Sequence, residues 1–198
     1  MERGAERPRK QSGQARRAAW YTTAMILYGT THRVGDGITT DDIIAPEHRG
    51  SGDPALLSAH CLAAIDPAIA EAARAGDILL AGRDFGRAPH PDADDGAEAA
   101  VLALQALGFT AIICSSADPA FAAFAAVYGL PVLICPGAAG IVSGGVVRID
   151  LASGKITDRA NGAVFQAQPC SPELVEAVRR AQLLTRMRQV VEEEGFDG

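Results

Sequence analysis

The stretch Gly76-Asp77-Ile78-Leu79-Leu80-Ala81-Gly82-Arg83-Asp84-Phe85-Gly86 sets the architecture of this chain. Gly76-Asp77 stops the helix before it, and Ile78–Ala81 is a short, wholly apolar run of the kind that forms a strand buried on both faces. A long irregular stretch then runs from Gly82 to about Asp95. Downstream the alternation repeats. Ala97–Leu107 reads as an alanine- and leucine-rich helix closed by Gly108. Ala111–Cys114 reads as a strand, Pro119–Tyr128 as a helix and Pro131–Cys135 as another strand. Short apolar strands alternating with helices predict an α/β fold, a parallel or mixed sheet covered by helices.

Upstream, Ala24–Tyr28 is expected to be the first strand, followed by a loop from Gly29 to about Pro46. That loop holds Gly35, Asp36, Gly37 and the cluster Thr39-Thr40-Asp41-Asp42, all residues that favour turns. Pro54–Ala64 and Pro67–Ala75 read as two short helices, each opened by an aspartate and a proline (Asp53, Asp66). After Gly137 the texture changes. Val146–Leu151, Lys155–Thr157 and Ala163–Gln166 are punctuated by glycines and read as a small antiparallel meander. Ser171-Pro172 opens a final helix to about Glu194, with Leu174, Val178, Ala181, Leu184 and Val191 on one stripe. At that length it spans roughly 35 Å, enough to leave the body of the protein. Residues 1–20 are expected to be a basic disordered leader and residues 21–198 one domain.

The chain has 198 residues, 48% of them hydrophobic and 21% charged, a globular composition. Residues 1–17 carry six bases and two acids, a net of +4, so the remainder carries −10 of the overall −6. An acidic body argues against nucleic acid as the main partner. No apolar run is long enough for a membrane helix. Cys61, Cys114, Cys135 and Cys170 stand apart with no C-x-x-C pair, which fits neither a disulfide framework nor a zinc or iron–sulfur site held by this chain alone. No metal site is assigned, and a cytoplasmic location is the default expectation.

Three segments, in order, resemble the small subunit of the isopropylmalate isomerase (3-isopropylmalate dehydratase) family, the swivel domain of the aconitase superfamily. Gly35-Asp36-Gly37-Ile38-Thr39-Thr40-Asp41-Asp42-Ile43-Ile44 looks like that family's G-D-N-I-D-T-D-x-I-I. Gly76 to Gly86 looks like its G-D-I-x-V-A-G-x-N-F-G. Ala111-Ile112-Ile113-Cys114-Ser115-Ser116, followed by Gly129-Leu130-Pro131, has the spacing of its A-V-I-A-x-S-F … G-L-P. The resemblance implies a swivelling β/β/α domain, a mixed sheet with covering helices and a long C-terminal helix, packed over a separate large subunit. It implies a [4Fe-4S] cluster carried by that partner and none bound by this chain. It also implies reversible dehydration of a hydroxy-di- or tricarboxylic acid, and a possible higher hetero-oligomer.

The departures matter as much as the match. The family's helix is preceded by N-F-G-C-G-S-S-R-E, in which one serine removes a carbon-bound proton and the arginine clamps a carboxylate. Here the sequence runs Asp84-Phe85-Gly86-Arg87-Ala88-Pro89-His90-Pro91-Asp92-Ala93-Asp94-Asp95-Gly96-Ala97-Glu98. Counting back from Gly108 places Glu98 on the glutamate, Ala97 on the arginine and Asp95-Gly96 on the serines, after a longer loop. In the next loop the family's arginine and asparagine become Pro119 and Phe124, while Ser116 keeps its serine.

The catalytic candidates are therefore Asp95 and His90, as replacement bases. Substrate-binding candidates are Arg83 and Arg87 as carboxylate clamps, with Thr40, Asp41, Gly96 and Ser116. Each has a plain alternative. The acidic loop can cap the following helix or take a divalent cation, the Thr40-Asp41-Asp42 cluster can fix a tight turn, and Ser116 can cap a helix. Phe121 and Phe124 read as core packing, and His32, His48 and His60 as surface or internally satisfied residues. Two other readings stay open: a non-catalytic swivel module that binds or regulates, and a loop-borne metal enzyme acting alone.

Overall fold

The computed structural model describes residues 25–89 and 96–193. Seven strands form one mixed sheet in the order β4-β3-β2-β1-β5-β6-β7. They are β1 (Ile26–Arg33), β2 (Ile78–Leu80), β3 (Ala111–Cys114), β4 (Val132–Ile134), β5 (Val146–Asp150), β6 (Lys155–Asp158) and β7 (Val164–Gln166). Strands β1 to β4 are mutually parallel, whereas β5 runs antiparallel to β1 and leads into the β6–β7 meander. The helices are α1 (Thr40–Ile43), α2 (Pro54–His60), α3 (Pro67–Ala72), α4 (Ala97–Leu107), α5 (Pro119–Val127) and α6 (Pro172–Glu193). The expected mixed α/β fold with a long terminal helix is the fold observed.

The apolar strands divide their side chains between two cores, as the pleat dictates. Leu79, Ile112 and Cys114 face a core built with Val101 and Leu104 of α4 and Phe121 of α5. Ile78, Leu80 and Ile113 face the other way, where Val147, Ile149 and Ile156 of β5 and β6 fold over them and Val178 of α6 closes the edge. Two meander strands thus cover one face of the parallel strands, and helices cover the other. This double burial is why β2 and β3 contain no polar residue.

Three expectations are corrected. The first strand does not end at Tyr28 but continues to Arg33. Its polar residues Thr31 and His32 read as loop, yet both are satisfied within the sheet: Thr31 Oγ1 donates to Val142 O at 2.7 Å, and His32 Nε2 lies 2.8 Å from Asp77 Oδ2. The stretch to Pro46 also holds α1, opened by a capping box between Thr39 and Asp42. Phe121 is wholly buried, but Phe124, one helical turn on, is 38% exposed. Helix α5 turns only one side to the core, so an apolar sequence on both sides is not buried on both. The distal part of α6 likewise leaves Leu183, Leu184 and Met187 more than half exposed.

Candidate active site

Three loops leave the carboxyl ends of β1, β2 and β3, the edge at which open α/β sheets hold ligands. Backbone hydrogen bonds tie them together. Gly37 N–H donates to Arg83 O (2.7 Å), Gly86 N–H to Ile38 O (2.8 Å) and Thr40 N–H to Arg87 O (3.0 Å). Phe85 N–H donates to Ser116 O (3.1 Å), and Asp118 N–H to Phe85 O (2.8 Å). The loop after β2 is thereby clamped between its two neighbours, and the residues it carries have fixed backbone positions.

Two glycines permit this approach. A Cβ on Gly82 would collide with the Asp36 side chain, and one on Gly86, whose φ is +76°, would collide with the Phe121 ring. Between them Asp84 stands at φ +57°, a left-handed conformation that aspartate tolerates better than most residues. Ser116 braces it: the Asp84 N–H donates to Ser116 Oγ at 2.8 Å, and that hydroxyl donates to Asp84 Oδ1 at 3.2 Å. Helix α5 is instead capped by Asp118, which accepts from Ala120 and Phe121 N–H. Ser116 is therefore a brace for the strained residue rather than a helix cap.

Arg83 is tied to Asp36. The carboxylate accepts the Arg83 backbone N–H at 2.8 Å and its Nε and Nη2 at 3.0 and 2.7 Å. The backbone and side-chain donors of Arg83 hold the Asp36 carboxyl below the ordinary aspartate range. Arg87 is exposed, and among the described residues no carboxylate pairs with it. The aspartate cluster divides by role. Thr39 and Asp42 hold the turn, with Asp42 Oδ2 accepting from Thr39 N–H and Oγ1 at 2.8 and 2.7 Å. Thr40 and Asp41 do not take part in that box. Thr40 is fully buried, and its hydroxyl has no hydrogen-bond partner among the described residues. Asp41 forms an ion pair with Arg49, whose guanidinium lies against Gly96 at the start of α4.

Glu98, in the first turn of α4, accepts the Tyr128 hydroxyl, which raises the phenol's pKa. His90 and Asp95 lie outside the described residues, as do Asp92 and Asp94. The structure brings Asp41 and Gly96 together around Arg49, leaves Thr40 buried beside Asp41 in α1, and places Arg83 and Arg87 in the loop after β2, with Ser116 of the next loop bonded to Asp84 between them. Sequence reasoning missed Asp36, Asp84 and Arg49. The two-glycine frame around Asp84 was a usable signal. Arg49 had none, since its contact with Gly96 exists only in the folded chain.

The cysteines are not arranged to hold a cluster. Cys61 and Cys114 lie in one core and Cys135 in the other, with Cys170 at the latter's margin. Burial pushes the Cys61 and Cys114 thiols up to about 12 and Cys170 to about 11.

No protein-family model matches the chain. It is 32% identical over 161 residues to the 3-isopropylmalate dehydratase small subunit of Moorella thermoacetica, covering 81% of this chain and 93% of that protein. It is 35% identical over 158 residues to the corresponding subunit of Caldicellulosiruptor saccharolyticus, covering 79% and 87%. With the 2,3-dimethylmalate dehydratase small subunit of Eubacterium barkeri it shares 34% identity over 155 residues, covering 78% and 91%. The crystal structure of 3-isopropylmalate dehydratase from Methanocaldococcus jannaschii matches with a TM-score of 0.67 at 28% identity, covering 83% of this chain and 99% of that one. Identities above 30% that run nearly the whole length of these proteins, joined to a matching overall fold, leave one assignment: the chain belongs to the 3-isopropylmalate dehydratase small-subunit family.

Proposed function

We propose that this chain is the small subunit of an aconitase-type hydro-lyase acting on a substituted malate or a related hydroxy-dicarboxylic acid. What carries the reading is the strand-end loop cluster itself. Its glycines, Asp36 and the braced Asp84 keep the scaffold of a site, while the residues at its mouth differ from the family's turn. The relatives' names give the substrate class, since isopropylmalate and dimethylmalate are both hydroxy-dicarboxylates, and the name small subunit implies a large one.

A [4Fe-4S] cluster belongs to that partner in this reading, because the thiols of this chain are divided between two cores. Bound in the partner, it supplies Lewis acidity toward the departing hydroxyl. This chain supplies the other wall of the cleft. In this reading Arg87 offers an exposed cation, Asp41 and the buried Thr40 belong to the same loop cluster, and the loop bearing His90 and Asp95 is the place for a base that takes the carbon-bound proton. With Ala97 in place of the arginine, the acid–base and carboxylate-binding groups must come from elsewhere on this surface.

The test is reconstitution. The chain is co-expressed with a cluster-bearing large subunit, and hydration of an alkyl-substituted maleate is followed by loss of its conjugated absorbance. Turnover that disappears without either subunit is the expected outcome. No association and no turnover of any hydroxy-dicarboxylate overturns the reading. Association without turnover favours a binding or regulatory module, which the loss of the serine–arginine turn also fits.

A further inference from the structure

Helix α6 is held along one side and bare along the other. Val175 and Val178 are buried in the core beneath β5 and β6. A Cβ on Gly129 would lie 2.8 Å from Ala177 O and 2.9 Å from Ala181 Cβ, so the helix is seated on that glycine as far as Ala181. Beyond it, Leu183, Leu184 and Met187 are exposed at 58, 58 and 57%. At about 100° per residue these three stand on the side of the helix opposite Val175 and Val178. The body of the protein cannot cover them.

The course of the helix decides which partner can. Gln168 N–H, just before α6, donates to Ile134 O at the carboxyl end of β4. Gly129, which seats the middle of α6, precedes the amino end of β4. The helix therefore starts near the strand edge that bears the candidate site, passes along β4 and carries its distal half beyond the opposite edge. A large subunit that closes over the strand-end loops meets the other end of the molecule.

The spacing along this stripe is a palindrome in the sequence. Arg180, Leu183, Leu184 and Met187 stand three, one and three residues apart, and the reversed intervals lead from Met187 to Val190, Val191 and Glu194. The average step is that of a seam between two helices. A second copy laid antiparallel about Met187 sets Leu183 opposite Val191, Leu184 opposite Val190 and Arg180 opposite Glu194. Every apolar position then meets an apolar one, and each base meets an acid. A parallel copy sets Arg180 on Arg180 and Glu194 on Glu194, which repel. Arg186 and Arg188 fall about 100° to either side of Met187, off this seam.

We infer that the distal half of α6 is a self-association surface, where two copies of this chain form an antiparallel, two-fold symmetric helix pair centred on Met187. A seam of about fifteen residues spans roughly 22 Å, short for isolated peptides that must first form their helices. Here the first half of the helix is already anchored in the fold, so less ordering remains to be done on association. The contact is isologous and leaves the strand-end loops of both copies open to a large subunit.

Sedimentation equilibrium of the full chain between about 1 and 100 μM reads the association, with circular dichroism confirming that each variant folds. Wild type is expected to pass from monomer to dimer across this range. Met187→Glu puts two like charges at the symmetry axis and is expected to weaken the dimer about tenfold or more. Arg180→Glu and Glu194→Arg each set like charges at both ends of the seam and are expected to weaken it several-fold. The double variant Arg180→Glu/Glu194→Arg restores opposite charges and with them wild-type association, a rescue that no merely local role for these residues explains. A wild-type chain that stays monomeric to about 100 μM, or a dimer that Met187→Glu leaves intact, overturns the inference. So does a double variant as weak as either single one. In the assembled complex, loss of the large subunit on Met187→Glu assigns the stripe to that subunit and overturns self-association as well.

Discussion

Cys61 and Cys114 are wholly buried in the hydrophobic core between the sheet and its helices. Burial pushes both thiols from 9.0 up to about 12. In the unfolded chain they ionise near the ordinary value, so as pH rises past about 9 the unfolded state releases protons that the native state retains. Stability that is complete below pH 9 is then lost toward pH 12. Thermal melts of wild type and a Cys61→Ala/Cys114→Ala double variant between pH 8 and 11 check this. The variant starts less stable but has the shallower decline, and parallel declines refute the assignment. Cys114 was legible, because it ends an apolar run in which a free thiol reads as a small core residue, whereas Cys61 carried no such signal. Arg49 was not legible at all. It lies in a turn with no periodicity, and its significance comes from a glycine in another element whose missing side chain it occupies.

Elements with caps were easy to read, and elements held by pairing were not. The aspartate–proline starts of α2, α3 and α5 and the glycine after α4 are local chemistry, and those helices lie where they were expected to within a few residues. The second half of β1 was misread because Thr30, Thr31 and His32 resemble loop residues until β2 and β5 pair with them. The candidate site divides in the same way. Its glycine frame was visible, but Ser116 found its partner only when the loops after β2 and β3 came together. That junction can be tested at Gly86. Alanine there meets the Phe121 ring at a φ of +76°, so strain and overpacking add. Gly86→Ala is expected to cost about 2 kcal/mol or more of stability in urea unfolding. Loss should extend to complex activity, because Phe85 and Asp84 move with the glycine. A cost under about 0.5 kcal/mol would show that the loop is not held at this point.

At the scale of the molecule, β1 joins two unlike halves, since it is parallel to β2 on one side and antiparallel to β5 on the other. The halves also share one core, in which Leu80 and Ile113 of the parallel part pack with Ile149 and Ile156 of the meander. A sheet joined by both a central strand and a common core should unfold as one unit. Thr31 sits at the joint. It is 1% exposed, its N–H and hydroxyl both reach Gly145 O, and the hydroxyl also donates to Val142 O. Thr31→Val keeps the shape, deletes those side-chain bonds and leaves part-buried carbonyls with fewer donors, at a cost of about 1–2 kcal/mol. Native-state hydrogen exchange then reads whether the cost is local or shared. If the halves are one cooperative unit, the amides of Ile113 in β3 and Ile156 in β6 lose equal protection, although they lie on opposite sides of the mutated strand. If protection falls at Ile156 and stays at Ile113, the meander opens alone, and the single cooperative unit gives way to two halves of unequal stability.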